Sequence, residues 1–123
     1  MTPTNFAGLF ILVAGAAVLF HISLILGAPW GHLTQGRTQR GPLPPRARLG
    51  AVTSILILLM MCGALLSVVG RWPGWAAWTG WATVATIGVG VLLNGITPSK
   101  AERALWLPVS IVMFFLALGV MVL

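Results

Sequence analysis

His21 is the one ionisable side chain that lies deep inside an apolar run of this sequence. If the run is a membrane helix ending at Gly27, helical rise places His21 about 9 Å below the nearer membrane border. Thr53 and Ser54 enter the next run to a similar depth, so a helical hairpin would bring a hydroxyl to the imidazole. Ionisable groups inside membranes are candidates for function, but hydrogen-bonded polar groups also simply join membrane helices. Both interpretations of His21 remain open.

A polar segment, residues 28–48, follows the first run and contains His32. Its arginines are Arg37, Arg40, Arg46 and Arg48. Guanidinium groups suit phosphate oxygens, and basic clusters beside a membrane attract anionic headgroups. The same charges would also fix the orientation of the helices. We expect contact with anionic lipid here, with a specific anion site as the alternative.

The third apolar run carries a stripe of small and polar residues. Its members are Thr79, Thr83, Thr86, Gly90 and Asn94. Their spacing of three and four residues keeps them on one face of a helix. Such a stripe favours close helix packing with hydrogen bonds to a neighbouring helix. The alternative is that it lines a polar path.

Catalytic groups are scarce. The chain has no Asp, and Glu102 is its single acidic residue. With Ser99 three residues before it, Glu102 forms the pattern of a capping box at a helix start. Cys62 is the lone cysteine, so neither a disulfide within the chain nor a thiolate metal cage is expected. We therefore predict no enzyme, no metal site and no cofactor.

Four apolar runs must position these residues. The chain has 123 residues, of which 59% are hydrophobic and 7% charged, against about 25% charged in soluble domains. We predict an all-α, four-helix transmembrane bundle of two antiparallel helical hairpins in a single membrane domain. The predicted helices are about 5–27, 49–70, 75–94 and 100–123, each near the ~20 residues that cross a bilayer. The first run lacks a basic leading segment and is too long for a signal peptide, so we expect a retained helix.

The distribution of basic residues predicts the orientation. Loops 28–48 and 95–104 carry six Lys or Arg residues, including Arg103, and the opposite side carries only Arg71. The basic loops should therefore be cytoplasmic and both termini outside. This confinement to short loops argues against nucleic-acid binding despite the net charge of +6. Trp residues at the run borders are interpreted as interfacial anchors.

Several short motifs resemble those of small bacterial four-helix integral membrane proteins whose function is uncharacterised. The matching residues are Gly27-Ala28-Pro29-Trp30-Gly31, Gly41-Pro42-Leu43-Pro44, Arg48, Asn94, Ser99 and Glu102-Arg103. The resemblance implies a multi-pass protein of the bacterial inner membrane and transfers no activity.

Nearly every residue that could recognise a ligand is expected at the cytoplasmic end. The candidate site combines His21, His32, Thr53, Ser54, Asn94 and Arg103 with the loop arginines. The first hypothesis is a non-enzymatic accessory subunit or homo-oligomer that acts through helix and anionic-lipid contacts, alone or in a larger membrane complex. The second is an oligomeric channel or small-solute transporter that uses the polar stripe and His21.

Overall fold

A computed structural model describes all 123 residues as an all-helical protein. Its long helices are α1 (Pro3–Ile25), α2 (Pro45–Val68), α3 (Trp78–Ile96) and α4 (Lys100–Val122). All four are long and apolar enough to cross a membrane, which confirms the predicted all-α, four-helix class, whereas the pairing into two antiparallel hairpins stays a prediction. The most apolar stretch of α3 has a mean hydropathy of 1.4, against 2.4 in each of the others. The least apolar helix is thus the one that carries the polar stripe.

Two predicted helix starts were wrong by several residues. Helix α2 begins at Pro45 rather than at residue 49, because proline suits the first turn of a helix, where its missing N–H is not needed. Helix α3 begins at Trp78 rather than at residue 75. The residues just before α3 are not helical, since the Trp75 N–H donates to Ser67 Oγ of α2 at 2.9 Å. Arg46 and Arg48 consequently belong to the first turn of α2 rather than to the loop.

The four helices do not pack evenly. Helix α1 lies mainly against α2 and α4, and α3 lies mainly against α4, whereas α2 and α3 share much less contact. The main core holds Phe10, Leu65 and Ala117, whose side chains are fully buried. Glycine allows close approach at one crossing, where a Cβ on Gly119 would lie 3.0 Å from the Phe6 ring. The weak contact between α2 and α3 leaves a cleft between them.

The segment between α1 and α2 folds over one end of the bundle. It contains a single 3₁₀ turn, Gly31–Leu33, and the Gly31 N–H donates to Gly41 O at 2.9 Å. A Cβ on Gly31 would lie 2.7 Å from that same carbonyl oxygen, so this contact requires glycine. Leu43 anchors the segment in a second small core with Leu24 and Ala51. The predicted loop is therefore a folded cap, which we call the loop cap (residues 26–44).

Helix α4 holds the loop cap in place. The Trp106 indole N–H donates to Leu33 O at 2.8 Å, and the Ser99 hydroxyl donates to His32 O. These bonds place the loop that follows α1 and the loop that follows α3 at the same end of the bundle. Trp106 therefore fastens the loop cap to α4.

Only one of the two hydrogen bonds of the predicted capping box forms at the start of α4. Ser99 Oγ accepts from the Glu102 N–H at 3.1 Å, as expected. The Glu102 carboxylate does not return to the Ser99 N–H, which donates to Thr97 Oγ1 instead. Glu102 Oε2 accepts from the Gly36 N–H in the loop cap at 3.2 Å. The single carboxylate of the chain thus joins α4 to the cap.

Candidate functional site: a cleft between two helices

A cavity of about 650 Å³ lies where the loop cap meets the four helices. All four helices and the cap contribute to its wall. Its polar lining residues are His21, Thr34, Gln35, Ser54, Thr86, Asn94, Thr97, Glu102 and Ser110. Its apolar lining includes Ile57, Leu58, Met61, Ile87, Leu93 and Met113. The cavity is therefore polar near the cap and apolar further into the bundle.

A second cavity, of about 440 Å³, continues the first toward the opposite end of the bundle. It is bounded by α2 and α3 and includes Trp75 and Trp78 in its wall. Ile57, Met61 and Thr86 line both cavities, so the two lie next to each other. We call this pair of cavities the α2–α3 cleft.

The cleft is open on its flank. Ile57 of α2 is 41% exposed and Leu93 of α3 is 57% exposed, although both line the cavity. In a membrane-spanning bundle such exposed apolar positions face lipid tails rather than water. The cleft is therefore open to the surroundings of the bundle between α2 and α3.

His21 lines the cleft, but its expected hydroxyl partners do not reach it. Its Nδ1 lies 2.8 Å from Ala17 O in its own helix. Because a carbonyl oxygen only accepts hydrogen bonds, Nδ1 carries the proton in this bond. The Nε2 nitrogen takes no part in it. The prediction of a bond from His21 to Thr53 or Ser54 was wrong.

The two hydroxyl groups are satisfied within α2. Thr53 Oγ1 donates to Leu49 O at 3.1 Å, and Ser54 Oγ donates to Gly50 O at the same distance. A carbonyl one turn back is always within reach of a helical Ser or Thr, so it outcompetes a partner on another helix. Ser54 lines the cleft, whereas Thr53 is exposed outside it.

All members of the α3 stripe line the cleft. Thr79 and Thr83 lie in the second cavity, Thr86 in both, and Gly90 and Asn94 in the first. The three threonine hydroxyls donate to backbone carbonyls three or four residues earlier in the chain, at 2.7–3.0 Å. The expected bonds to a neighbouring helix are therefore absent for the threonines.

Asn94 is the stripe residue that does bond to another helix. Its Nδ2 donates to Ser110 Oγ at 3.1 Å and to Trp106 O at 3.3 Å, both in α4. This amide closes the polar end of the cleft on the α4 side. It also couples the cleft wall to Trp106, which holds the loop cap.

Two of the predicted anion-binding arginines have structural roles. Arg48 donates from Nε to Leu43 O at 2.9 Å and from Nη1 to Ile25 O at 3.2 Å. Arg103 donates to Thr97 O at 3.1 Å, at the end of α3. Arg37 is half-buried, and Arg40 and Arg46 are exposed, and none of the three lines the cleft. The expected grouping of arginines around His21 does not form.

His32 is likewise separate from His21. It lies in the 3₁₀ turn of the loop cap and does not line either cavity. Its Nδ1 is buried and has no hydrogen-bond partner. No group of three His, Cys, Asp or Glu side chains in the protein could hold a metal ion.

Glu102 is the site residue that the sequence argument missed. It is 7% exposed and lines the polar end of the cleft. Because its position fits a capping box, the sequence argument gave Glu102 a structural role and did not include it in the candidate site. The signal that could have found it was its being the only acidic residue in the chain, because a single carboxylate in an apolar protein is costly to bury without a partner.

Comparison of the chain with protein-family models, curated proteins and solved structures found no match.

Proposed function

We propose that this protein is a small non-enzymatic membrane protein that holds a bilayer lipid in the α2–α3 cleft. The observation that carries the proposal is the laterally open cavity of about 650 Å³, which is polar at one end and apolar along its length. Ligand sites in proteins are typically concave, about 300–1,000 Å³ in volume, and mostly apolar with a few polar groups. A lipid has the same division between headgroup and tail.

The cellular setting we propose follows from charge. Six of the seven basic residues lie at the loop-cap end, either in the loop cap or in the first turns of α2 and α4. Positive residues favour the cytoplasmic side, so we propose that this end is cytoplasmic in a bacterial inner membrane, with both termini outside. Arg37, Arg40 and Arg46 then lie where anionic headgroups are, and each such residue contributes about 1 kcal/mol of attraction to an anionic surface.

We further propose that the protein acts as a homo-oligomer or as an accessory subunit of a larger membrane complex. Helix faces that carry Gly8 and Gly15 on α1 are open, since a Cβ at either position would meet nothing within 4 Å. Small residues on a lipid-facing surface permit close approach of another helix. Such an assembly leaves the α2–α3 cleft free, because these glycines lie on a different helix.

Filling the cleft tests the proposal. Gly90 lines the first cavity, and a Cβ there would meet no atom within 4 Å. Gly90→Leu should therefore narrow the cavity without straining the bundle. Ala85→Leu is the matched control, because Ala85 is exposed on the same helix and lines neither cavity.

The measurement is native mass spectrometry of the protein released from lipid nanodiscs. The proposal predicts that the unsubstituted protein and Ala85→Leu retain the same number of lipids. Gly90→Leu should retain fewer. Equal retention by all three proteins would contradict lipid binding in the cleft.

A second candidate function is small-solute transport, and one observation favours it. His21, Ser54 and Asn94 line the same cavity as the polar stripe of α3. Intramembrane histidines serve in proton relays. A pH-dependent flux in liposomes that is lost in both His21→Ala and Gly90→Leu would favour this function. Unchanged permeability to common ions and small solutes would count against it.

A further inference from the structure

We propose that the cleft selects a phospholipid whose headgroup carries an ammonium group, and that Glu102 binds that group. This inference rests on the proposed lipid binding and adds the chemistry of the headgroup. Phosphatidylethanolamine is the simplest lipid with this headgroup.

Glu102 is the feature from which the inference starts. Its side chain is 7% exposed and lines the polar end of the cleft. The one hydrogen bond it accepts from another segment comes from the Gly36 N–H at 3.2 Å. A buried carboxylate is stable only when a positive group or several hydrogen bonds compensate its lost hydration.

The protein supplies no cation to this carboxylate within the cavity. No Lys or Arg lines either cavity. The guanidinium of Arg103, the next residue in the chain, donates to Thr97 O, and that of Arg48 donates to Leu43 O. Glu102 Oε2 accepts from the Gly36 N–H near the N-terminal end of α4, but the other carboxylate oxygen has no hydrogen-bond donor. An ammonium group from a ligand would complete the site.

A zwitterionic headgroup also fits the surrounding positive charge. A free cation would be repelled by a chain with a net charge of +6. In an ethanolamine headgroup, the phosphate lies a short distance from the ammonium group. Arg37 directly follows Gly36, the residue that bonds to Glu102, and it lines neither cavity, so the loop cap carries a positive charge beside the carboxylate site in the sequence.

The two adjacent cavities give the tail of such a lipid an apolar path. From Glu102 the cleft runs past Ile57 and Met61 into the second cavity. Lipid tails are as apolar as these side chains, so a tail can occupy this path without exposing polar groups. The headgroup end therefore decides which lipid is selected.

The test compares two lipids with identical acyl chains, phosphatidylethanolamine and phosphatidylglycerol. They are mixed in equal amounts in nanodiscs, and lipid retained by the full chain is measured by native mass spectrometry. The amount lost in Gly90→Leu defines the lipid bound in the cleft and removes lipid held at the exposed arginines from the comparison. One charge-assisted hydrogen bond should give a preference for the ammonium lipid of at least roughly tenfold, the ratio that about 1.4 kcal/mol produces.

Glu102→Gln is the decisive variant, because it removes the charge and keeps an oxygen that can accept from the Gly36 N–H. The preference should fall to near equality in Glu102→Gln and persist in Ser54→Ala, which changes a cleft residue without changing charge. An unaltered melting temperature for Glu102→Gln would show that the bundle is intact. Persistence of the preference in Glu102→Gln, or equal retention of both lipids by the unsubstituted protein, would overturn the inference while leaving lipid binding in place. If Gly90→Leu displaces no lipid at all, the proposed function fails and the inference fails with it.

Discussion

Replacing Arg48 by glutamine tests whether the loop cap is held by specific bonds. The guanidinium of this half-buried residue joins three segments, since it belongs to α2 and donates to Ile25 O of α1 and Leu43 O of the loop cap. Hydrogen bonds that involve a charged group contribute about 1.5–3 kcal/mol each, so the pair is worth about 3–6 kcal/mol before exposure is considered. Because water can partly replace them at this half-buried site, we expect Arg48→Gln to lower the free energy of unfolding by about 2–3 kcal/mol.

Arg46→Gln provides the control. Arg46 is exposed and lies in the same first turn of α2. Both substitutions remove one positive charge from that turn, so effects on the helix dipole and on membrane orientation are common to both. Surface substitutions of this kind usually change stability by less than about 0.5 kcal/mol.

The assay is reversible unfolding in mixed detergent micelles, followed by circular dichroism. Hydrogen exchange of residues 26–44 would report the loop cap directly, and its protection should fall in Arg48→Gln alone. Equal loss of stability in Arg46→Gln and Arg48→Gln would refute the reasoning, because the effect would then depend on charge and not on these two bonds.

Two further predictions concern packing and the cap. Trp106→Phe keeps the aromatic ring but loses the bond to Leu33 O, so it should cost about 0.5–1.5 kcal/mol and loosen the loop cap in hydrogen exchange; unchanged exchange there would contradict this. Gly80→Ala places a Cβ 2.8 Å from the β-branched Val68 side chain as well as against Met121, so it should destabilise the bundle by about 1–3 kcal/mol, whereas Gly90→Ala, which meets open space, should not destabilise it. An equal fall in the melting temperatures of Gly80→Ala and Gly90→Ala would contradict the packing we describe.

The helices themselves were predictable because their cause is local. An uncharged apolar run of about 20 residues crosses a membrane as a helix, because only a helix satisfies all its backbone hydrogen bonds within the segment. The boundary errors at α2 and α3 arose where Pro45 could start a helix and where Ser67 bonds to the Trp75 N–H. A proline at a helix start and a hydrogen bond in a turn do not change the hydrophobicity of the sequence. The apolar pattern therefore could not predict these helix boundaries.

The cleft and its carboxylate were not predictable for a different reason. They depend on how α2 and α3 separate and on contacts between distant residues, such as Glu102 with Gly36 and Trp106 with Leu33. The sequence did identify the α3 stripe that lines the cleft. The expectation that the threonine hydroxyls would bond to another helix was wrong because it left out the carbonyls three or four residues earlier, which lie within reach of a helical threonine.

Photocrosslinking from within the bilayer tests the central claim most directly. A phospholipid with a diazirine on its acyl chain would be activated in vesicles that contain the protein, and the labelled residues would be mapped by mass spectrometry. Met61 is decisive because it is only 7% exposed yet lines both cavities, whereas Leu12 on α1 is 71% exposed and lines neither. Lipid held in the cleft predicts strong labelling of Met61, lost in Gly90→Leu. Labelling that follows exposure, with Leu12 marked and Met61 unmarked, would contradict it.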